Sequence, residues 1–211
     1  MRGVRGAKVG RDMHGRADMT GRTLRIVLVR HGQPAIALAP STGHRGFQTY
    51  IGDYEAAGLD PASLPPPELA ELRHELTAVF ASDRPRAHQS ARALGEGVEP
   101  MLDPLFAEAP LASPPLPLLK MSVPWWAVIS RILWHLGFAP GIEDARGAKL
   151  RAEKAADALI AKARETGTLA LVAHGYFNWM IGRVLARKGF TKRGSHRARY
   201  WNMVIYERHD S

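Results

Sequence analysis

Cysteine is absent from the 211 residues, which excludes disulfides, thiol nucleophiles and zinc sites built on thiolates. A reducing cytoplasm is the natural setting. No apolar run approaches the roughly 18 residues that a membrane-spanning helix requires, and the N-terminus carries Arg and Gly where a secretory leader has an apolar core. No transmembrane segment is expected. None of the histidines forms a His-Glu-x-x-His pair or a similar metal spacing, so no metal site is expected. His14 falls near the N-terminus, His44, His196 and His209 sit in polar surroundings, and His74, His88 and His135 lie on predicted helices. Ser41, Ser82 and Ser90 lack a Gly-x-Ser-x-Gly setting, which argues against a serine hydrolase.

What is present suffices for one core. With 45% hydrophobic residues over 211 positions, a single compact domain is favoured over two. The net charge of +9 would ordinarily suggest a polyanionic partner, so its position along the chain matters. Residues 1–23 hold six Lys or Arg against Asp12 and Asp18, leaving +5 for residues 24–211. Those 23 residues have too few large apolar side chains to offset the entropy of ordering. They predict a flexible basic tail ahead of a catalytic domain at 24–211. No aromatic-basic recognition motif accompanies the charge, so no nucleic-acid partner is expected.

Leu24-Arg25-Ile26-Val27-Leu28-Val29 is an apolar run that stops at Arg30-His31-Gly32, the pattern of a buried strand entering a loop. Thr168 to Ala173 repeats it and stops at His174-Gly175. Between them the sequence predicts a short strand at Thr77 to Ala81, a helix at about Arg84 to Leu94 and a long helix at about Asp144 to Glu165. A helix at Tyr176 to Arg187 follows, then a strand at Arg199 to Tyr206. Strands alternating with helices imply an α/β fold with a mostly parallel sheet. Two stretches break the pattern. Residues 34–67 are rich in Gly, Pro and Ala, with one short helix expected near Phe47 to Ala57, and residues 104–124 contain six prolines. Loops of this length in a compact domain commonly serve as lids or binding loops.

A strand ending in Arg30-His31-Gly32 sets a cation beside an imidazole at the carboxyl edge of the sheet, where open α/β folds bind ligands. Gly32 is read as the residue that lets the backbone turn tightly and approach a ligand. Alone the tripeptide is weak and reads equally well as a polar strand end. The second His-Gly changes the balance, because neighbouring parallel strands would bring His31 and His174 together across 143 positions. At Ser82-Asp83-Arg84-Pro85-Arg86 a strand gives way to a helix, whose start offers free N–H groups to an anion while an arginine fork matches phosphate oxygens. Arg84 and Arg86 both qualify. A lone carboxylate, Glu108, follows the apolar Leu105-Phe106; Asp83 and Asp103 are substitutes, and Asp103, ahead of Pro104, reads better as a turn residue.

Val29 to Pro34, Ser82 to Ala91 and Leu171 to Gly175, in that order, resemble the signatures of the histidine phosphatase superfamily, also called the phosphoglycerate mutase-like family. The likeness runs from about Leu24 to Tyr206 and includes Pro140-Gly141-Ile142-Glu143 ahead of the long helix. It implies a three-layer α/β sandwich with a mostly parallel central sheet flanked by helices. It further implies a phosphatase in which His31 attacks phosphorus as a neutral imidazole, while Arg30, Arg86 and His174 hold the non-bridging oxygens. Arg86 is preferred over Arg84 because it precedes Ala87 and stands four residues before Ser90, where the family usually has Thr. Glu108 matches the family's proton donor, although the Gly-x-x-Glu-Gly pattern that usually follows is replaced by Ala109-Pro110-Leu111-Ala112-Ser113-Pro114. No metal or other cofactor is implied. Alternatives on the same fold are a phosphoglycerate-type mutase and a non-catalytic scaffold that binds a phosphorylated ligand.

Pro124 to Phe138 reads as an amphipathic helix with Trp125, Ile129, Ile132, Leu133 and Leu136 on one face. It falls in a Pro-rich and Trp-rich cap at about 109–140, just after Glu108. Packed onto the domain rather than exposed to a membrane or partner, such a cap would wall the substrate entrance and favour a small-molecule phosphate ester carrying a hydrophobic or aromatic group over a small sugar phosphate.

Overall fold

The computed structural model describes residues 22–38, 41–95 and 97–210. Among these, six strands form one sheet: β1 (Arg22–Arg30), β2 (Ala78–Ala81), β3 (Met101–Leu102), β4 (Thr168–Ala173), β5 (Thr191–Arg193) and β6 (Met203–Asp210). Their spatial order is β3-β2-β4-β1-β6-β5. The first four strands run parallel to one another, and β6 is antiparallel to both β1 and β5. Six α-helices accompany them: α1 (His44–Ala56), α2 (Pro67–Leu72), α3 (Pro85–Leu94), α4 (Val123–His135), α5 (Ala145–Thr166) and α6 (Gly175–Arg187).

The strands alternate their side chains between two helical layers, as the two-residue period of a pleated strand requires. Leu24, Ile26 and Leu28 of β1, with Leu169, Leu171 and Ala173 of β4, pack against Leu159 and Ala163 of α5 and Phe177 and Ile181 of α6. Val27 and Val29, with Ala170 and Val172, face Leu69 and Leu72 of α2 and Ala91 and Leu94 of α3. The result is a three-layer α/β sandwich with a mostly parallel sheet. Buried alanines let α5 lie close to the sheet; Asp144 starts this helix by accepting from the Gly147 N–H at 2.7 Å, and Gly167 ends it at φ +92°.

Several expectations are corrected. Arg22 and Thr23, expected in the basic tail, are the first residues of β1, and Arg22 donates to the Arg164 carbonyl at 2.9 Å; the rest of the expected tail lies outside the described residues. The final strand begins at Met203 rather than Arg199, because pairing with β1 stops at Val29–Met203 and the chain turns there, with Trp201 at φ +56°. The short elements α2, β3 and β5 were not anticipated.

Helix α4 is rotated from the expected face. Trp125 is 61% exposed and Ile132 55%, while Val123, Trp126, Ser130 and Trp134 are buried. This helix is apolar nearly all round, so hydrophobicity alone does not fix its rotation; the indole N–H groups do. Trp126 stacks on Phe47 of α1 with ring centroids 5.7 Å apart and donates to the Thr42 carbonyl at 2.8 Å, and Trp134 donates to the Glu143 carbonyl at 2.8 Å.

Candidate active site

Parallel pairing of β1 with β4 aligns Arg30 with Ala173, so the two chains leave the sheet edge together at His31 and His174. Their rings lie 5.1 Å apart and both side chains are buried. The His31 N–H donates to the Ala173 carbonyl at 2.9 Å, which fixes the backbone at this edge. Strand β2, on the other side of β4, delivers Ser82 and then α3 to the same edge.

Arg86, in the first turn of α3, is fully buried between the two imidazoles. Its Nε donates to His31 Nε2 at 3.3 Å and its Nη2 to His174 Nδ1 at 3.4 Å. A guanidinium can only donate, so both facing ring nitrogens are acceptors. The proton of His31 therefore sits on Nδ1, which donates to the Gly32 carbonyl at 2.7 Å, and that of His174 on Nε2, which donates to Ser82 Oγ at 3.0 Å. Electrostatics agree with this arrangement. Burial first, then Arg86, lowers the His31 pKa to about 3, and burial with the neighbouring His31 and Arg86 holds His174 well below its ordinary value. At neutral pH both rings are uncharged, and the lone pair of His31 Nε2 faces Arg86.

Arg84 and Arg86 point in different directions. Arg84, 40% exposed, pairs with Glu55 at 2.8 Å, whereas Arg86 reaches the histidines and is held in place by the Tyr54 carbonyl at 2.6 Å and by Glu55 at 3.4 Å. Arg30 extends over the Tyr200 ring at 4.7 Å, and its buried Nε has no hydrogen-bond partner among the described residues. Gly175 makes room for it, since a Cβ there would lie 3.3 Å from Arg30 Cδ. Gly32 is also required by packing. A Cβ at this position would meet Leu59 and Trp201 at 2.5–2.7 Å, so these two side chains can close on the backbone only where it carries none. Ser90 ties the edge together, accepting from the Gly32 N–H at 2.9 Å and donating to the Arg86 carbonyl at 2.6 Å.

Glu108 is seated at the start of α6, the helix that begins directly after His174. Its carboxylate accepts from the N–H groups of Phe177 at 2.8 Å, Ala109 at 3.0 Å and Tyr176 at 3.2 Å. Burial raises its pKa, outweighing the opposing pull of Arg131 and these three amides. Two arginines fasten the segment that carries it. Arg151 of α5 donates to the carbonyls of Ala107 at 2.7 Å, Leu105 at 3.0 Å and Glu108 at 3.4 Å, while Arg131 of α4 holds the Ala109 carbonyl at 2.7 Å. Asp103 caps the turn before it, accepting from the Leu105 N–H at 2.8 Å, and Asp83 is exposed.

Sequence reasoning missed Tyr54, Glu55 and Tyr200. The Tyr54 hydroxyl lies 3.5 Å from His31 Nε2, and the Tyr200 ring centroid 5.9 Å from that of His31. Tyr54 and Glu55 fell inside an expected helix without any motif, and Tyr200 inside an expected strand.

The family model described as histidine phosphatase superfamily (branch 1) matches residues 26–210. Among solved structures the chain is similar to a mycobacterial hydrolase, 19% identical with TM-score 0.59, covering 90% of this chain and 84% of that one. It is also similar to a mycobacterial glucosyl-3-phosphoglycerate phosphatase, 21% identical with TM-score 0.51, covering 79% and 81%. A third similarity is to a phosphoserine phosphatase of Entamoeba histolytica in complex with 3-phosphoglyceric acid, 14% identical with TM-score 0.50, covering 86% and 89%. At these identities the likeness is one of fold. Comparison with the curated proteins gives no match.

Proposed function

The chain belongs to the histidine phosphatase superfamily, branch 1, and from that premise we propose that it is a metal-independent phosphatase hydrolysing a phosphate monoester through a phosphohistidine on His31. The observation that carries this reading is the contact of Arg86 with His31 Nε2 at 3.3 Å. It leaves the nucleophilic nitrogen unprotonated and sets a permanent cation beside it. Nε2 attacks phosphorus while the ester P–O bond breaks, and the departing oxygen takes a proton from Glu108, whose raised pKa suits an acid. Arg30, Arg86 and His174 hold the three non-bridging oxygens and balance their charge, which is most of what a protein contributes to phosphoryl transfer. In the second half, the Glu108 carboxylate takes a proton from water as its oxygen attacks phosphorus. The P–N bond breaks, its electron pair returns to Nε2, and inorganic phosphate leaves.

Quenching without acid during turnover of a ³²P-labelled ester tests this sequence. Label is expected on the protein, stable in alkali and lost in acid, and His31→Ala should abolish both label and nearly all turnover. Substantial activity in His31→Ala would sink the mechanism. Turnover is expected to persist in excess chelator; complete loss restored by a divalent ion would contradict the metal-independent reading. Label that returns to a phosphoglycerate instead of appearing as phosphate would identify a mutase, and absence of both label and turnover a scaffold.

A further inference from the structure

Beyond the phosphate-binding groups, the side chains nearest the nucleophile are aromatic. Tyr54 places its hydroxyl 3.5 Å from His31 Nε2, and Tyr200 approaches from the opposite strand connection with its ring 5.9 Å from the imidazole. Tyr50, one turn before Tyr54 on α1, lies 5.9 Å from it, ring to ring. Each of the three is partly exposed, unlike His31, Arg86 and His174 beneath them. The phenols are near enough to influence one another. Burial, then Tyr54 and Tyr200, pushes the Tyr50 hydroxyl up to about 12, and burial with Tyr54 raises that of Tyr200, so both of these stay neutral through the physiological range.

The charged groups at this edge are already engaged below the aromatic layer. Arg86 stacks on Tyr54 at 4.4 Å and Arg30 on Tyr200 at 4.7 Å, while Glu55 binds Arg84 and Arg86. Each ring thus steadies one of the two guanidiniums and turns its remaining surface outward. An ester oxygen leaving opposite His31 would enter a neutral aromatic collar. The charged groups stacked on these rings, Arg30 and Arg86, are the ones that hold the phosphate, and a flat ring on the alcohol gains most from such a collar by stacking or edge contact.

We propose that Tyr54 and Tyr200, backed by Tyr50, form the leaving-group subsite and select phosphate monoesters of flat aromatic alcohols over those of small alkyl alcohols. This rests on the phosphatase reading above and adds to it the class of substrate. Helix α4 contributes only at one remove: Trp126 stacks on Phe47 of α1, and Tyr50 and Ile51 of α1 pack against the same cluster. The selectivity therefore lies with α1 and the turn before β6 rather than with the tryptophans of the cap.

The test compares kcat/KM for phenyl phosphate and ethyl phosphate in the full chain, taking the aryl-to-alkyl ratio in each variant relative to wild type so that intrinsic ester reactivity cancels. Tyr200→Leu and Tyr54→Leu should each lower that ratio about five- to tenfold, whereas Tyr200→Phe should keep it within about twofold. Inhibition by phenylphosphonate against methylphosphonate should move in parallel and needs no turnover. Equal losses for both esters, or an unchanged ratio, would assign the tyrosines a structural role and overturn the proposal. Those results with the acid-labile label intact would leave the phosphohistidine mechanism standing; no hydrolysis and no label in the wild type would remove both.

Discussion

The imidazole of His31 keeps its proton on Nδ1 because the Gly32 carbonyl accepts it, and Nε2 stays bare because Arg86 faces it. That arrangement makes stability depend on pH. The folded pKa of His31 is about 3, below the unfolded value of 6.5, so between those limits the unfolded chain binds more protons and acidification favours unfolding. His174 and His196 act in the same direction, the latter lowered to about 4 chiefly by burial. Glu108 opposes them, since its raised pKa means that the folded form takes up a proton first. His135 is lowered as well, and these four imidazoles against one carboxyl predict a net loss of stability from pH 6.5 downward. For His31 alone the loss is about 2 kcal/mol by pH 5. Thermal denaturation at pH 7 and pH 5 should show a lower midpoint at pH 5, and a midpoint independent of pH would contradict the buried neutral imidazoles.

Strands β1 and β4 were legible because a strand covered on both faces must be continuously apolar, and each stops abruptly at a histidine. The starts of α3 and α5 were legible within a residue from Pro85 and Asp144. The rotation of α4 was not, because it depends on which carbonyls Trp126 and Trp134 find, and those lie on Thr42 and Glu143, far apart in sequence. The turn carrying Tyr200 was misread for a related reason: aromatic residues favour strands, but here the Tyr200 ring turns toward His31. Arg151 was invisible too: besides its ion pair with Glu143, it holds backbone carbonyls more than 40 positions away. Its position on α5 makes it a positioning residue for Glu108. Arg151→Ala should slow hydrolysis of esters with poor leaving groups by about tenfold or more, and of esters with good leaving groups much less. Measuring kcat across aryl esters of graded acidity checks this, because loss of folding would lower every ester alike.

The whole molecule is organised around β1, which pairs with β4 on one side and β6 on the other. A chain starting at Arg22 is expected to retain turnover and melting temperature. One starting at Ile26 loses the ladder from Arg22 to Arg25 and the buried Leu24, a loss of about 2–5 kcal/mol for the side chain alone. Comparing the melting temperatures of the two truncations tests the boundary, and equal values would show that the first residues of β1 add nothing. The same central place has a cost during synthesis. β1 is made first, yet its partners begin at Thr168 and Met203, so at about 5–20 residues per second the ribosome needs about 7–30 s to supply even the first of them. For that interval the nascent chain carries an apolar strand with both edges open, a template for pairing with other chains. Slow elongation should therefore raise aggregation of this protein, and a chaperone that shields residues 24–29 cotranslationally should relieve it.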